Sequence, residues 1–386
     1  MDGTRPQAPP AGEIVCVRRR AIDAVAADWD RFVPRDVPHL RAGFLKAVER
    51  GGVVNKPAYL LAYRAGRPVG AAVVYSLLLD TTMPAPPHIR RFISRIRERA
   101  PGFLRSSMLI CGSPISNAES GMWLDPELRS EDRRQVFACL ARAVLQMART
   151  DQAIFFKEFT DEQVSDHASR LDELGFFSAP SWAGTRLEIA WPSFDAYLTG
   201  LRKRYRSLIR KDLKAAEGLE LSLLDDFADL APTASALYER VYGQAAFALE
   251  RANAEFFAAV SEFDQAGLLV ARERSSGEVL GINLLLFGDT CMHNLFIGFD
   301  YERNEHFHTY FNLVEESLRL AIERGCKVCY FGQDSYEFKA RLGAKPFRLT
   351  AYMKHRLWPV HFMLRASRNV FFPPNEPVTH DVFHGD

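Results

Sequence analysis

"GLLVARERSSGEVLGINLLLFGD", residues Gly267–Asp289, is the stretch from which the rest of this 386-residue chain can be read. Apolar residues run from Leu268 to Ala271, break at the polar Ser275–Glu278, and resume from Val279 to Phe287. Two β-rich runs around a glycine-containing turn predict an antiparallel hairpin. Far upstream, "AYLLAYRAGRPVGAAVVYSLLL", Ala58–Leu79, has the same make-up, with Gly66 in its turn. The chain therefore carries the same supersecondary signal twice.

The segment after each hairpin repeats as well. "RRQVFACLARAVLQMARTDQAIFFKEF" in the first half and "YFNLVEESLRLAIERGCKVCYFG" in the second each read as an amphipathic helix leading into a buried strand. In the second, Phe311, Val314, Leu318 and Ala321/Ile322 fall on one helical stripe. A polar helix and a Leu-Gly pair come next ("SRLDELGFFSAP" and "EFKARLGAKPFR"). A last strand ends each copy ("TRLEIAW" and "FRLTAYMKHR"). Strands alternating with helices in this way predict mixed α/β layers, twice over.

Composition sets the outer limits. The length exceeds one ordinary core, and 47% hydrophobic with 25% charged residues is a globular balance. A net charge of +1 means that an anionic partner must be held by local patches. Two stand out. In "LRKRYRSLIRKDLKAAEG", Leu201, Tyr205, Leu208, Ile209 and Leu213 share one helical face, opposite Arg202, Lys203, Arg204, Arg206, Arg210, Lys211 and Lys214. In "HIRRFISRIRERAP", Ile89, Phe92, Ile93 and Ile96 lie opposite five arginines. No apolar run is long enough to span a bilayer, and no signal-peptide core is present, so a cytoplasmic protein with a disordered leader is expected. Six scattered cysteines fit free thiols. Cys326 and Cys329 form a C-x-x-C, but they fall in a strand reading with no partner motif, so buried thiols are expected there and no metal. There is no G-x-S-x-G elbow, H-E-x-x-H, Walker loop or Rossmann fingerprint.

The order hairpin–helix–strand–helix–strand resembles the GNAT acyltransferase fold, and its duplication resembles the FemABX-like (FemAB-like, peptidoglycan-biosynthesis-related) tandem family. The resemblance rests on three stretches: "DVPHLRAGFLKAVERGG…PAYLLAYRAGRPVGAAVVYSL", the basic "LRKRYRSLIRKDLKAAEG", and "FGQDSYEFKARLGAKP" with its Y-x-F-K. It covers roughly residues 25–356 and implies a leader at 1–24, a GNAT-like domain at 25–195, a basic linking helix at 196–218, a second GNAT-like domain at 219–358 and a tail at 359–386. The implied chemistry is transfer of an acyl or aminoacyl group from an activated carrier to an amine. That carrier is acyl-CoA in ordinary members and aminoacyl-tRNA in Fem-type members. Ordinary members cradle the CoA pyrophosphate on a Q/R-x-x-G-x-G/A loop at a helix start. Here the matching place reads "DYERNEHFHTYFNL", with Arg303 but no glycine, which favours aminoacyl-tRNA over CoA. No tightly bound cofactor and no DNA are implied. The acceptor would be a small-molecule or peptide amine.

The resemblance points first to Lys339, for stabilising negative charge at the reacting carbonyl, and to Tyr336 for protonating a leaving hydroxyl. Asp334 reads either as the N-cap of the helix, with Glu337 completing a capping box, or as a polar site residue. His293 and Asn294 alternate on "TCMHNLFIGFD", so one should face the donor cleft, with His293 as a base. His308, Arg303, Arg204, Arg206, Arg210 and Lys211 are expected to contact the anionic carrier. The first copy lacks the Y-x-F-K, which places the site in the second half. Two other readings remain: an acyl-CoA N-acyltransferase with an unorthodox loop, and a non-catalytic GNAT-like scaffold.

Overall fold

The structure is a computed structural model that describes residues 13–80, 87–100, 105–115, 119–149, 152–244, 251–372 and 377–384. Both expected hairpins are present. β2 (Asn55–Arg64) turns into β3 (Arg67–Asp80) through Ala65 and Gly66, both left-handed at φ 49° and 76°. That pair of angles is the turn whose twist suits a two-residue hairpin. β10 (Ala266–Glu273) and β11 (Val279–Phe287) pair antiparallel in the same way.

Among the described residues, fifteen strands form two mixed sheets flanked by helices. The first runs β1 (Ile14–Arg19), β2, β3, β4 (Arg105–Cys111), β6 (Ala153–Thr160), β15 (Leu349–His355) and β7 (Phe177–Pro180), with β5 (Met122–Leu124) paired to β3. The second runs β14 (Lys345–Phe347), β8 (Gly184–Glu188), β13 (Val328–Gly332), β12 (Cys291–Phe299), β11, β10 and β9 (Leu219–Leu224). The architecture is tandem GNAT-like, one sheet per half. The expected last strand of each copy, however, does not close its own sheet. β8, from the first half, pairs with β13 and β14, and β15, from the second half, lies between β6 and β7. The boundaries 25–195 and 219–358 therefore do not coincide with sheet membership.

The halves share a core. Phe44 and Val48 from the helix Ala42–Arg50 meet Phe256, Phe257, Val260 and Phe263 of the other half, with Phe44 and Phe256 edge to face at 6.0 Å. Tyr75, Ile110 and Phe155 of the first sheet join the same cluster as Leu284 and Leu286 of the second.

Local outcomes differ from the expectations at several places. The linking segment forms two helices, Phe194–Gly200 and Lys203–Ala215 (the linking helix), and Leu208 on its expected apolar face is partly exposed. In the other basic helix, Pro87–Arg97, Ile93 is buried but Phe92 is 64% exposed. Of the leader, Ile14–Arg19 is the edge strand of the first sheet. The tail does not hang loose over its described part, 377–384. Val382 is buried in the second core, and Phe383 packs on Trp191 and Tyr197.

Candidate functional site

β12 and β13 run parallel but pair only over Cys291–His293 and Val328–Tyr330. Just beyond, β12 bulges against β11, where Leu284 faces Phe296 and Leu285 faces Asn294. An extra residue in one strand bends it and ends regular pairing, so the two strands part there. Asn294 stands at the fork. Its amide donates to the Tyr330 carbonyl at 3.1 Å, and its oxygen accepts from Asn283 and from Ser317, each at 2.7 Å. Its amide thus satisfies a strand carbonyl at the divergence, so Asn294 is a wedge rather than a substrate contact. His293 points to the opposite face, as alternation requires. It stacks on Tyr330 at 4.5 Å and lies 5.9 Å from His39. With 1% exposure, burial, reinforced by His39, pushes its pKa well below the ordinary value. The ring is therefore neutral and closed from solvent, which removes it as a base for a diffusing amine.

β13 ends on Gly332, and the chain turns through Asp334 (φ 67°) and Ser335 (φ 49°) into the closing helix, Tyr336–Arg341. The capping-box reading of Asp334 and Glu337 fails here. Ser335 holds the cap position in a left-handed conformation and makes no side-chain cap bond. Asp334 instead accepts from the Ser335 amide at 2.6 Å, and Glu337 is engaged by Arg341 and His380, each at 3.1 Å. Two adjacent left-handed non-glycine residues cost on the order of 1–3 kcal/mol each, and such strain is concentrated at functional sites. The turn is flanked by Tyr310, whose ring meets Phe338 of the closing helix at 5.5 Å. Tyr336 donates to the Ala183 carbonyl at 2.9 Å, tying the closing helix to the chain just before β8.

Lys339 is folded back under this turn, only 5% exposed, and donates to the Gln333 carbonyl at 2.8 Å. Burial pulls its pKa down to about 7, against the opposing pull of the Asp334 carboxylate. A fully charged lysine, as expected for charge stabilisation, is therefore replaced by one that gains and loses its proton near neutrality.

The central helix, Thr309–Glu323, starts at His308, which itself takes the left-handed conformation (φ 49°) that a glycine would ordinarily supply. Its first-turn donors are partly used internally. Tyr310 N–H donates to the Asn304 side chain at 2.9 Å, and the side-chain amide of Asn312 donates to the Asp212, Phe307 and His308 carbonyls. His308 Nδ1 meets the Asp212 carboxylate at 2.5 Å. Arg303 is exposed and paired with Glu273 at 3.2 Å. Arg206 donates to the Thr199 and Leu201 carbonyls, whereas Arg204, Arg210 and Lys211 project from the exposed side of the linking helix. Of the expected site residues, the structure groups Asp334, Tyr336 and Lys339 at one turn. It brings His308 and Lys211 together around a cavity of about 190 Å³, and leaves His293 and Arg303 apart.

Two groups escaped the sequence reading. Glu315 lines that cavity. Its signal was present, since 315 falls on the stripe of Phe311, Val314 and Leu318, where a charge is out of place. The other group sits where β4 and β6 part. Their parallel pairing stops at Cys111 and Phe156, and the next residue, Lys157, lays its stem against Gly112. Glu158 follows at φ 64°, and nearby Glu119, 3.2 Å from His39, is pushed up to about 8 by burial. Each half thus has a parallel strand pair that opens; in the first half the Lys157 stem plugs the opening. Cys326 and Cys329 are both buried, and among the described residues no three His, Cys, Asp or Glu side chains are grouped to hold a metal.

Similarity to known proteins agrees with this geometry. Residues 200–340 match the family model described as an acetyltransferase (GNAT) domain, the region that contains the linking helix, the central helix and Lys339. By fold, the chain resembles the crystal structure of FemX (TM-score 0.58, 12% identity, 92% of this chain and 100% of that one). It also resembles the C-terminal domain of a "Putative Lysylphosphatidylglycerol Synthetase" from Agrobacterium fabrum (TM-score 0.54, 11% identity, 93% and 100%). A GNAT-domain match thus covers residues 200–340, and the fold over most of the chain is like that of FemX. In sequence it is 28% identical over 332 residues to a Mycobacterium tuberculosis protein named "Putative 8-amino-7-oxononanoate synthase 2", over 82% of this chain. The match spans 42% of that relative's length. No helix among the described residues is long and apolar enough to cross a membrane.

Proposed function

We propose that this GNAT-fold protein is an acyl- or aminoacyltransferase that forms an amide in the opening between β12 and β13, with Lys339 moving the proton. The observation that carries the reading is the buried Lys339 amine, with a pKa of about 7, at a strained turn beside that opening. The neutral Nζ takes a proton from the acceptor ammonium. The freed amine attacks the carbonyl carbon of the activated ester, a C–N bond forms, and the bond to the carrier's oxygen or sulfur breaks. The Lys339 ammonium then returns its proton to that leaving atom, and the attacking nitrogen gives up one further proton to water as the adduct collapses, so the products are the amide, the protonated carrier and one proton. Positioning and proton transfer suffice for an activated donor, so no covalent enzyme intermediate is needed.

Two features favour aminoacyl-tRNA over acyl-CoA as the carrier. One amide of the central helix's first turn is consumed by Asn304, and the Asp212 carboxylate sits against His308 where a pyrophosphate would need positive potential. The exposed Arg204, Arg210 and Lys211 offer a cationic face for a polynucleotide. The test is to incubate the full chain with radiolabelled aminoacyl-tRNA or acetyl-CoA and a mixture of amine acceptors. Transfer from charged tRNA, reduced roughly 10²–10⁴-fold by Lys339→Ala, is the expected result. Transfer from acetyl-CoA alone would overturn the carrier assignment, and full activity of Lys339→Ala would overturn the site.

A further inference from the structure

The cavity beneath the linking helix is distinct from the Lys339 turn, and Lys339 does not line it. Its most buried polar wall is Glu315, 1% exposed on the inner face of the central helix, with neither carboxylate oxygen accepting a hydrogen bond. Asp212 stands beside Glu315, oriented by His308. Lys211 and Arg341 also line the cavity, but the Arg341 guanidinium is already held by Glu337 at 3.1 Å. The remaining walls are apolar, chiefly Leu208, Ile209, Phe311 and Phe338.

Two carboxyl groups side by side in such surroundings cannot both stay ionised without a positive partner. Burial, and then the neighbouring Asp212, raise the Glu315 pKa well above the ordinary carboxylate value, with Arg319 opposing. The pair therefore holds either a shared proton or a cation. What turns this pair into a ligand site is the space in front of it, about 190 Å³ lined by aromatic and aliphatic side chains. That is below the usual range for drug-sized ligands, so the ligand is small. The donor set does not suit a metal ion: among the described residues no three His, Cys, Asp or Glu side chains are grouped to hold one, and the His308 imidazole, which also lines the cavity, is engaged with Asp212 through Nδ1. An ammonium group on a short apolar stem fits both parts of the cavity: the charge meets the carboxylates and the stem meets the walls. The aromatic walls, Phe311 and Phe338, give the stem an apolar surround.

We propose that this cavity binds a small primary amine, its ammonium group held between Glu315 and Asp212. The site is independent of the acyl-transfer reading. It is tested by calorimetric titration of the full chain near neutral pH with isopentylamine, and with isopentanol as the uncharged counterpart. The amine should bind at least roughly tenfold more tightly than the alcohol, a difference equal to about 1.4 kcal/mol. Binding should release a proton, read as a heat that changes with the buffer. Glu315→Gln keeps the side-chain size and removes the charge, so it should abolish the preference while the thermal midpoint is kept or raised. Leu208→Trp, at the partly exposed mouth, should block the amine without touching either carboxyl group. Failure of the amine to bind, equal binding of amine and alcohol, or undiminished amine binding by Glu315→Gln would each overturn the proposal and leave a proton-sharing pair. The readout is equilibrium binding without any acyl donor, so it stands or falls separately from the role of Lys339.

Discussion

Lys339 shows how a residue's depth changes its chemistry. The sequence singled it out by contrast, since the second half has a Y-x-F-K where the first has none. No local pattern, however, conveys that the side chain folds back under its own turn to the Gln333 carbonyl. That burial makes two pH effects predictable. A base with a pKa of about 7 is active when neutral, so the transfer rate should rise as pH increases through about 7 and then level off. In Lys339→Met the remaining activity should lack this limb. For stability, a lysine near 7 in the folded chain and near 10.4 unfolded binds more protons when unfolded between those values. The wild type therefore gains stability as pH rises across that window and loses it as pH falls toward 7. Lys339→Met should raise the thermal midpoint relative to wild type more at about pH 6 than at about pH 10. An equal difference at both would show that the amine is charged in its folded setting. Glu315 was legible as a charge on an apolar stripe, whereas its neighbour Asp212, on a helix read only for its basic face, was not.

At the scale of elements, the hairpins, the central helix and the strand after it could be read directly, because period and turn chemistry are local properties. The opening between β12 and β13 could not, since it depends on a bulge and on which neighbour each strand finds. Gly298, near the far end of β12, shows how tightly that strand is held: a Cβ there would collide with the backbone of Leu237 and Tyr238. Gly298→Ala should destabilise the protein by about 1–3 kcal/mol in urea unfolding, and by shifting β12 should also lower transfer activity. A substitution without effect on either would mean that the helix Ala231–Tyr242 can yield. The linking helix makes a different prediction. Replacing Arg204, Arg210 and Lys211 by glutamate should weaken tRNA binding at low salt. It should also flatten the dependence of log affinity on log salt, by roughly one for each phosphate that is no longer neutralised. An unchanged slope would place the carrier elsewhere.

On the scale of the whole molecule, the duplicated order was visible in the sequence but the exchange of β8 and β15 was not. Each last strand has the composition of its own copy, and nothing in a strand's residues names the sheet that it joins. The exchange and the shared core of Phe44, Phe256 and Leu284 make the two halves one thermodynamic unit. Calorimetry of the full chain should show a single cooperative transition, and residues 13–195 expressed alone should fail to give one. Two resolved transitions would contradict this. The exchange also sets the order of events at the ribosome. β6 ends at Thr160 and its neighbour β15 begins at Leu349, so most of the second half is synthesised before the first sheet can close. At ordinary rates of about 5–20 residues per second that delay is on the order of 10–40 s, during which the β6 and β7 edges stand unpaired. The nascent first half thus carries two open strand edges throughout elongation, and its completion is governed by the synthesis of the second.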